Sequence, residues 1–393
     1  MNLALLSSEI QQFINDHLKE DPTKLLLKHK EVSGIPFAEI IEQIQAKVKC
    51  EKKLPTWFHT ENIYYPNKLN IEQTSSEKTA TYKATFLKGN SLIDLTGGFG
   101  VDCYAFSKHF LKVTHCEISS KLSEIVTHNY KVLNVDNVEA VSQNGIQYLQ
   151  DQQQKYDCIY IDPSRRNDIK GKVFLLEDCL PDVVTHQQLL LEHSDTILIK
   201  TSPLLDITNG LRVLKHVKEV HVVAVQNEVK ELLWLLDKNI ETEDVLIKTV
   251  NLTNKKNDFF SFMLSAENFD VDYALPMKYL YEPNAAIMKA GGFSSIANGY
   301  QLKKLHQHSH LYTSNELISF PGRRFEIQKI LPYTKKIIKK ELNLTKANIT
   351  TRNFPESVST IRKKLSLTDG GDDFLFLTTV FTGKKVVIHC LKA

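Results

Sequence analysis

The chain has 393 residues, 42% of them apolar, and Lys+Arg 49 against Asp+Glu 46 leave a net charge of +3. That composition belongs to a globular chain of two or three domains and excludes disorder, collagen-like repeats and small disulfide scaffolds. The six cysteines include no C-x-x-C pair and none stand closer than 13 positions, so no disulfide framework, zinc ribbon or other metal site is predicted. No basic, apolar leader opens the chain, and no uncharged stretch nears the ~20 residues of a membrane span. The expectation is a cytoplasmic protein with reduced thiols and no membrane partner.

Ile10, Phe13, Ile14 and Leu18 recur at helical spacing, as do Ile40, Ile41, Ile44 and Val48, with no strand signal before about residue 53. A connector rich in aromatic and polar residues follows, and Thr74-Ser75-Ser76-Glu77 has the form of a capping box opening a helix through about Leu87. From residue 91 short β-rich runs at 91–95, 112–117, 138–141, 158–161, 196–200 and 220–225 alternate with helical patterns. Leu122, Ile125, Val126, Tyr130 and Leu133 mark one of those helices, and 258–264 adds a last strand. Alternation of this kind builds βαβ units and a parallel sheet covered on both faces. Past Asn268 a third segment has its own turn signals and terminal strands near 374–380 and 385–390. The predicted division is 1–82 (helical domain and connector), 83–267 (α/β domain) and 268–393 (α+β domain).

Ile93-Asp94-Leu95-Thr96-Gly97-Gly98-Phe99-Gly100-Val101-Asp102 runs from a strand through a glycine-rich turn into a helix, which is how α/β sheets bind nucleotides at their C-terminal edge. Read as G-x-G-x-x-G/A, the frame places Cys103 where a packing glycine belongs, and Asp102 would repel a pyrophosphate at the helix entry. An NAD site is therefore disfavoured, and without a lysine in the turn a P-loop is excluded. Asp94 and Asp102 flanking the turn suit a cationic ligand.

These residues resemble the first motif of class I S-adenosylmethionine-dependent methyltransferases. The resemblance implies a Rossmann-like methyltransferase sheet. It also implies S-adenosyl-L-methionine held by Asp94, Thr96, Gly97, Gly98, Gly100 and Asp102, with Glu117 after the second strand accepting the ribose hydroxyls. Asn144, where the family usually has Asp, keeps an amide oxygen for the adenine.

Tyr160-Ile161-Asp162-Pro163-Ser164-Arg165-Arg166 follows the fourth strand, where the family keeps its catalytic motif. Asp162 and the Pro163 carbonyl can accept N–H bonds from a target amino group, and Ser164, Arg165 and Arg166 are the candidate substrate contacts. Ser164-Arg165 stands where exocyclic-amine methyltransferases have Pro-aromatic. A competing arrangement, Lys83, Asp162, Lys200 and Glu228, resembles in order the Lys-Asp-Lys-Glu tetrad of ribose 2′-O-methyltransferases. Pyrimidine C5 methylation is disfavoured, because Thr201-Ser202-Pro203 holds no cysteine nucleophile.

Three further segments, Leu69–Glu77, Tyr281–Ile287 and Arg352–Pro355 with Asp369–Asp373, resemble one bacterial methyltransferase family with a THUMP-like C-terminal domain of ferredoxin-like character. THUMP domains bind RNA. Between Gly322 and Lys364 there are 12 Lys/Arg against 3 acids, a local +9 that leaves −6 on the rest of the chain. Clustered Lys/Arg give salt-dependent phosphate affinity, and Lys335, Lys336, Lys339 and Lys340 are the candidate contacts. The bland alternative is a solvated helix face around Ile337 and Ile338. The expected protein is thus a methyltransferase acting on structured RNA (tRNA or rRNA), with an exocyclic amino group favoured as target. Ribose 2′-O methylation, a non-catalytic RNA-binding protein that keeps the cofactor fold, and a small-molecule methyltransferase are the other readings.

Overall fold

The computed structural model describes residues 1–165, 175–240 and 244–393, and Arg166 lies outside them. The chain divides into two compact units, one of Met1–Lys218 with Leu232–Glu243 and one of Glu219–Glu231 with Asp244–Ala393.

The first unit opens with helices α1 (Ser8–Asp16), α2 (Pro22–Lys28) and α3 (Phe37–Lys53). The expected stripes largely face inward: Ile10 and Ile14 are buried in α1, and Ile40, Ile41 and Ile44 in α3. The stripe of α3 then departs from the expectation, because Val48 is exposed and Lys47 is buried, its ammonium donating to Asn15 Oδ1 at 2.7 Å. Burial depresses the Lys47 pKa. A short antiparallel ribbon, Glu31–Val32 with Ile35–Pro36, also interrupts the helical region. Its turn residues Ser33 and Gly34 have φ of 50° and 78°, the backbone of a tight hairpin.

After α4 (Pro55–His59) and α5 (Lys68–Gln73) comes α6 (Glu77–Phe86), whose cap corrects the predicted box. Ser76 caps it, its Oγ accepting from Thr79 N at 3.2 Å. Thr74 instead closes α5, and the Glu77 carboxylate accepts from Thr56 N and Oγ1 at 2.6 and 2.9 Å.

The sheet of this unit contains β1 (Ser91–Asp94), β2 (Lys112–Cys116), β3 (Val138–Val141), β4 (Cys158–Ile161) and β5 (Thr196–Thr201), all parallel. Residues 232–237 of a further strand, β7 (Glu228–Asp237), pair antiparallel with β5. The order is β3-β2-β1-β4-β5-β7. Helices α7 (Val101–Ser107), α8 (Ser120–Val132) and α9 (Gly145–Asp151) connect the early strands, and α10 (Val183–His193) precedes β5. The chain steps outward from β1 through β2 to β3 and then returns to place β4 beside β1 on its other flank. Such a reversal opens a crevice at the carboxyl ends of the two strands.

In the second unit residues 219–225 of β6 (Val217–Val225) pair in parallel with β8 (Leu246–Leu252), and β8 pairs antiparallel with β9 (Asp258–Met263). A separate seven-stranded sheet runs in the order Lys303–Lys304, Tyr312–Ser314, Tyr279–Pro283, Gly322–Pro332, Lys385–Lys392, Phe374–Thr379, Asn348–Arg352. Helices Lys335–Leu342 and Val358–Leu365 share one core with this sheet, in which Ile338 and Ile361 join Leu375, Leu377 and Val387. The alternate residues Phe374, Phe376 and Ile388 pack with Leu280 and Phe325 in another, as the two-residue period of a strand requires. The result is a Rossmann-like sheet with N-terminal helices in one unit and an α+β sheet domain in the other. Among the described residues no helix is long and apolar enough to cross a membrane, and no three His, Cys, Asp or Glu are arranged to hold a metal.

Candidate active site

A cleft of about 750 Å³ lies at the carboxyl ends of β1, β2 and β4. The turn after β1 makes its floor. Gly97 N donates to Cys116 O at 2.8 Å and Gly98 N to Glu117 Oε2 at 3.0 Å, so the turn is laid across the end of β2. The packing allows nothing larger at Gly97, since an added Cβ would sit 2.2 Å from His115 Nε2. At Gly98, φ is +54° and the side-chain direction is open, with nothing nearer than Thr96 O at 3.8 Å. A ligand can approach the backbone there.

Thr96, Gly97, Gly98, Asp102, Glu117, Asn144, Asp162 and Ser164, all singled out from the sequence, line this cleft. Asp94 and Gly100 lie behind the wall. Gly100 takes the left-handed backbone that caps α7 and receives the Tyr130 hydroxyl on its carbonyl at 2.9 Å. Glu117 Oε1 accepts Ser119 N at 2.7 Å, and Asn144 Oδ1 caps α9 through Gln147 N at 3.1 Å.

Two expectations about charge are corrected. Asp94 does not present a charge to a ligand: it is buried, accepting Thr96 N at 2.9 Å, Thr96 Oγ1 at 3.2 Å and Cys103 Sγ at 3.3 Å. Burial, reinforced by Asp102 and Asp162, pushes its pKa up to about 7 against those donors. Nor does Asp102 offer a free carboxylate. Its Oδ1 pairs with the wholly buried Lys83 ammonium at 3.1 Å, and its Oδ2 accepts Ser75 Oγ at 2.8 Å and Tyr160 OH at 3.0 Å. Burial works to raise the Asp102 pKa, but Lys83, Lys200 and the Ser75 hydroxyl outweigh it and hold the carboxyl below its ordinary range.

Asp162 follows β4, and its amide donates to Thr96 Oγ1 at 2.7 Å. Its carboxylate is ion-paired with Lys200 at the end of β5. Thr96 thereby ties the turn after β1 to the loop after β4. Pro163 is buried beside Asp162, and Ser164 stands exposed on the rim. Arg165 lies in the short strand Ser164–Arg165, which pairs with Cys179–Leu180. Of the four residues proposed as a tetrad, Lys200 does meet Asp162, whereas Lys83 is engaged by Asp102 and Glu228 pairs with Lys230 at the surface. Lys335, Lys336, Lys339 and Lys340 are all exposed on their helix in the second unit, where Ile338 alone of the helix is buried.

Sequence reasoning missed Ser75 and Tyr160. Tyr160 carried a signal, because it stands two residues before Asp162 at the end of a strand pattern, where a two-residue alternation carried on past the strand puts both on one face. Ser75 carried none. Ile118, Leu122 and Ile146, which supply the apolar wall next to Glu117, were also missed.

Family models match the chain in three places: one described as conserved hypothetical protein 95 over residues 74–224, a ferredoxin-like domain over 279–321 and a THUMP domain-like segment over 322–392. Along its whole length the chain is similar to a crystal structure from Porphyromonas gingivalis W83 provisionally classed as a methyltransferase, at 33% identity and TM-score 0.89, covering 100% of this chain and 99% of that chain. A modification subunit provisionally assigned to a type I restriction enzyme of Vibrio vulnificus YJ016 matches at 12% identity and TM-score 0.36, over 51% of this chain and 56% of that one. An rRNA methylase from Streptococcus thermophilus matches at 13% identity and TM-score 0.31, over 41% of this chain and 94% of that one. No curated protein matches the sequence.

Proposed function

The chain belongs to a methyltransferase family with a THUMP-like C-terminal domain, and from that premise we propose that it methylates an exocyclic amino group of a nucleotide in structured RNA, tRNA or rRNA, in the cytoplasm. The observation that carries the reading is the Asp162 carboxylate, set at the cleft by Thr96 and Lys200 directly after a buried strand.

The cleft suits S-adenosylmethionine as methyl donor. Gly98 leaves its side-chain direction open, Glu117 offers carboxylate oxygens for ribose hydroxyls, and Ile118, Leu122 and Ile146 give an apolar wall for a base. Asn144 would meet the base with its amide while still capping α9. That cofactor supplies a methyl group on a sulfonium. Displacement there is in-line, so the chain's own work is to orient the acceptor and take its proton. Asp162 and the Pro163 carbonyl accept the amine N–H bonds, and Ser164 at the rim meets the nucleotide, with Arg165, next in the chain, as a further candidate contact. The Lys200–Asp162 pair also suits a ribose hydroxyl, with the ammonium lowering its pKa; this is the second reading.

Mass spectrometry of modified nucleosides in total RNA, with and without the gene, tests the proposal. One methylated nucleoside should disappear with the gene, and an unchanged profile would sink it. Calorimetry on the purified chain should show S-adenosylmethionine binding on the order of micromolar, or about −8 kcal/mol. Glu117→Ala should weaken it by at least about tenfold, since the lost hydrogen bonds to a charged acceptor are worth ~1.5–3 kcal/mol. Equal affinity in that variant would remove Glu117 from the site. For RNA, charge reversal at Lys335, Lys336, Lys339 and Lys340 should weaken binding and flatten its salt dependence, leaving cofactor affinity unchanged. Full RNA affinity after all four reversals would return that helix to the bland solvated face.

A further inference from the structure

Within the second unit, Glu282 is buried between two arginines. Arg323 Nε donates to its Oε2 at 2.7 Å, and Arg352 donates through Nη2 and Nε to its Oε1 at 2.8 and 3.1 Å. One carboxylate cannot neutralise two guanidinium groups, and the arginine side chains remain 43% and 37% exposed. A surplus positive charge is therefore held rigidly with its outer faces in water.

The residue after Arg352 connects this triad to a histidine-rich turn. Asn353, in the left-handed backbone with φ of 49°, lies with its side-chain amide 3.0 Å from His306 Nδ1. The backbone amide of His308 also donates to that Nδ1, at 3.0 Å. A backbone N–H can only donate, so Nδ1 is an acceptor and the neutral ring carries its proton on Nε2. The turn thus presents an imidazole N–H that has no partner among the described residues. Lys304 is buried beneath, its ammonium bound to Gln307 O at 3.2 Å, and His310 is stacked on Phe293 with ring centroids 3.6 Å apart.

We propose that the His306 Nε2–H, the Asn353 amide and the outer face of Arg352 form a binding site for a phosphate group of a polynucleotide. The site rests on the RNA reading above and adds to it a contact point distinct from the lysine helix. The His306 Nε2–H, the Asn353 Nδ2 and the Arg352 guanidinium are all donors, and the surrounding charges agree. Burial together with His308 and Lys304 lowers the His306 pKa, and burial with Lys304, Arg352 and His308 pushes His310 down to about 4. Lys304 and Arg352, the lysine and arginine acting on these rings, are both cations. The carboxylate that acts on Lys304, that of Glu267, is engaged by the amides of Ser294 and Ser295. An anion bound here relieves that repulsion, so it must raise the pKa of His306.

The test uses the full chain and two probes. The first is inorganic phosphate at constant ionic strength, read by the imidazole Cε1–H resonances as pH is varied. The His306 pKa should rise by about half a unit or more with phosphate and not with chloride; an identical titration in both salts overturns the site, whatever the chain does with RNA. The second probe is a structured hairpin RNA. His306→Glu with Asn353→Asp, both near the surface and compatible with the fold, should cut its affinity about tenfold or more and lower the salt slope by about 1–2. Parental RNA affinity in that variant overturns the assignment to a polynucleotide. If the unaltered chain shows no salt-dependent RNA binding, the RNA reading fails, and the phosphate titration still decides the anion site.

Discussion

Asp162→Ala is expected to abolish methyl transfer while leaving S-adenosylmethionine affinity within about twofold, because on the proposed reading the change deletes the group that accepts the target's protons and none of those assigned to the cofactor. The backbone link survives the change, since it is the Asp162 amide that donates to Thr96 Oγ1. Lys200 separates the two chemistries. If an amine is the target, Lys200→Ala leaves the accepting carboxylate in place and lowers the rate by about tenfold or less. If a ribose hydroxyl is the target, the ammonium polarises it and its loss costs on the order of 10²–10⁴ in rate. Single-turnover rates of both variants, with cofactor binding and melting checked in parallel, decide the matter. A folded, cofactor-binding Lys200→Ala enzyme without activity would overturn the preference for an amine, and full activity in Asp162→Ala would defeat both readings.

Lys83→Met is expected to destabilise the first unit by about 3–5 kcal/mol, the usual consequence of stripping one partner from a buried ion pair. Lys83 is wholly buried, and its pairing with Asp102 also bears on Ser75 and Tyr160, which share that carboxylate. Adding Asp102→Asn should restore much of the loss, because no uncompensated charge then remains. The pH dependence has a definite sign. In the parent chain Asp102 lies below its ordinary pKa, so its contribution to stability is present at neutral pH and is lost only as pH falls through that depressed value. In Lys83→Met burial dominates, the folded-state pKa rises above the unfolded one, and stability falls as pH rises through the interval between them. The stability gap between variant and parent should therefore be wider at pH 8 than at pH 5 in denaturant unfolding. A gap independent of pH would mean that the Asp102 charge is compensated by something other than Lys83.

Much of the parallel sheet was legible because buried parallel strands are short β-branched runs bounded by polar turns. The runs predicted at 138–141 and 158–161 coincide with β3 and β4, and those for β1, β2 and β5 end within one residue of the observed limits. β7 was not legible. Its segment Glu-Val-Lys-Glu-Leu-Leu-Trp-Leu-Leu-Asp is rich in leucine, and Leu232, Leu233, Trp234 and Leu236 are all buried, so no two-residue alternation marks it as a strand. β8 (Leu246–Leu252) and the long strand Gly322–Pro332 were missed as well, the latter because its inward and outward residues are interrupted by a bulge between Ile327 and Lys329.

By itself the sequence determined the order of the chemistry: an acid and a glycine turn after the first strand, a carboxylate after the second and Asp162 after the fourth. Order suffices for this because a parallel sheet brings the carboxyl ends of its strands to one edge. The tertiary structure alone decided which of these groups carries an available charge. Asp94 and Asp102 read alike as acids flanking a turn, yet one is buried with its pKa pushed up to about 7 and the other is held below its ordinary value by a lysine 19 positions earlier in the chain. The ionisation of a carboxyl depends on desolvation and on charges within a few ångströms, and those are set by which distant segments pack against it.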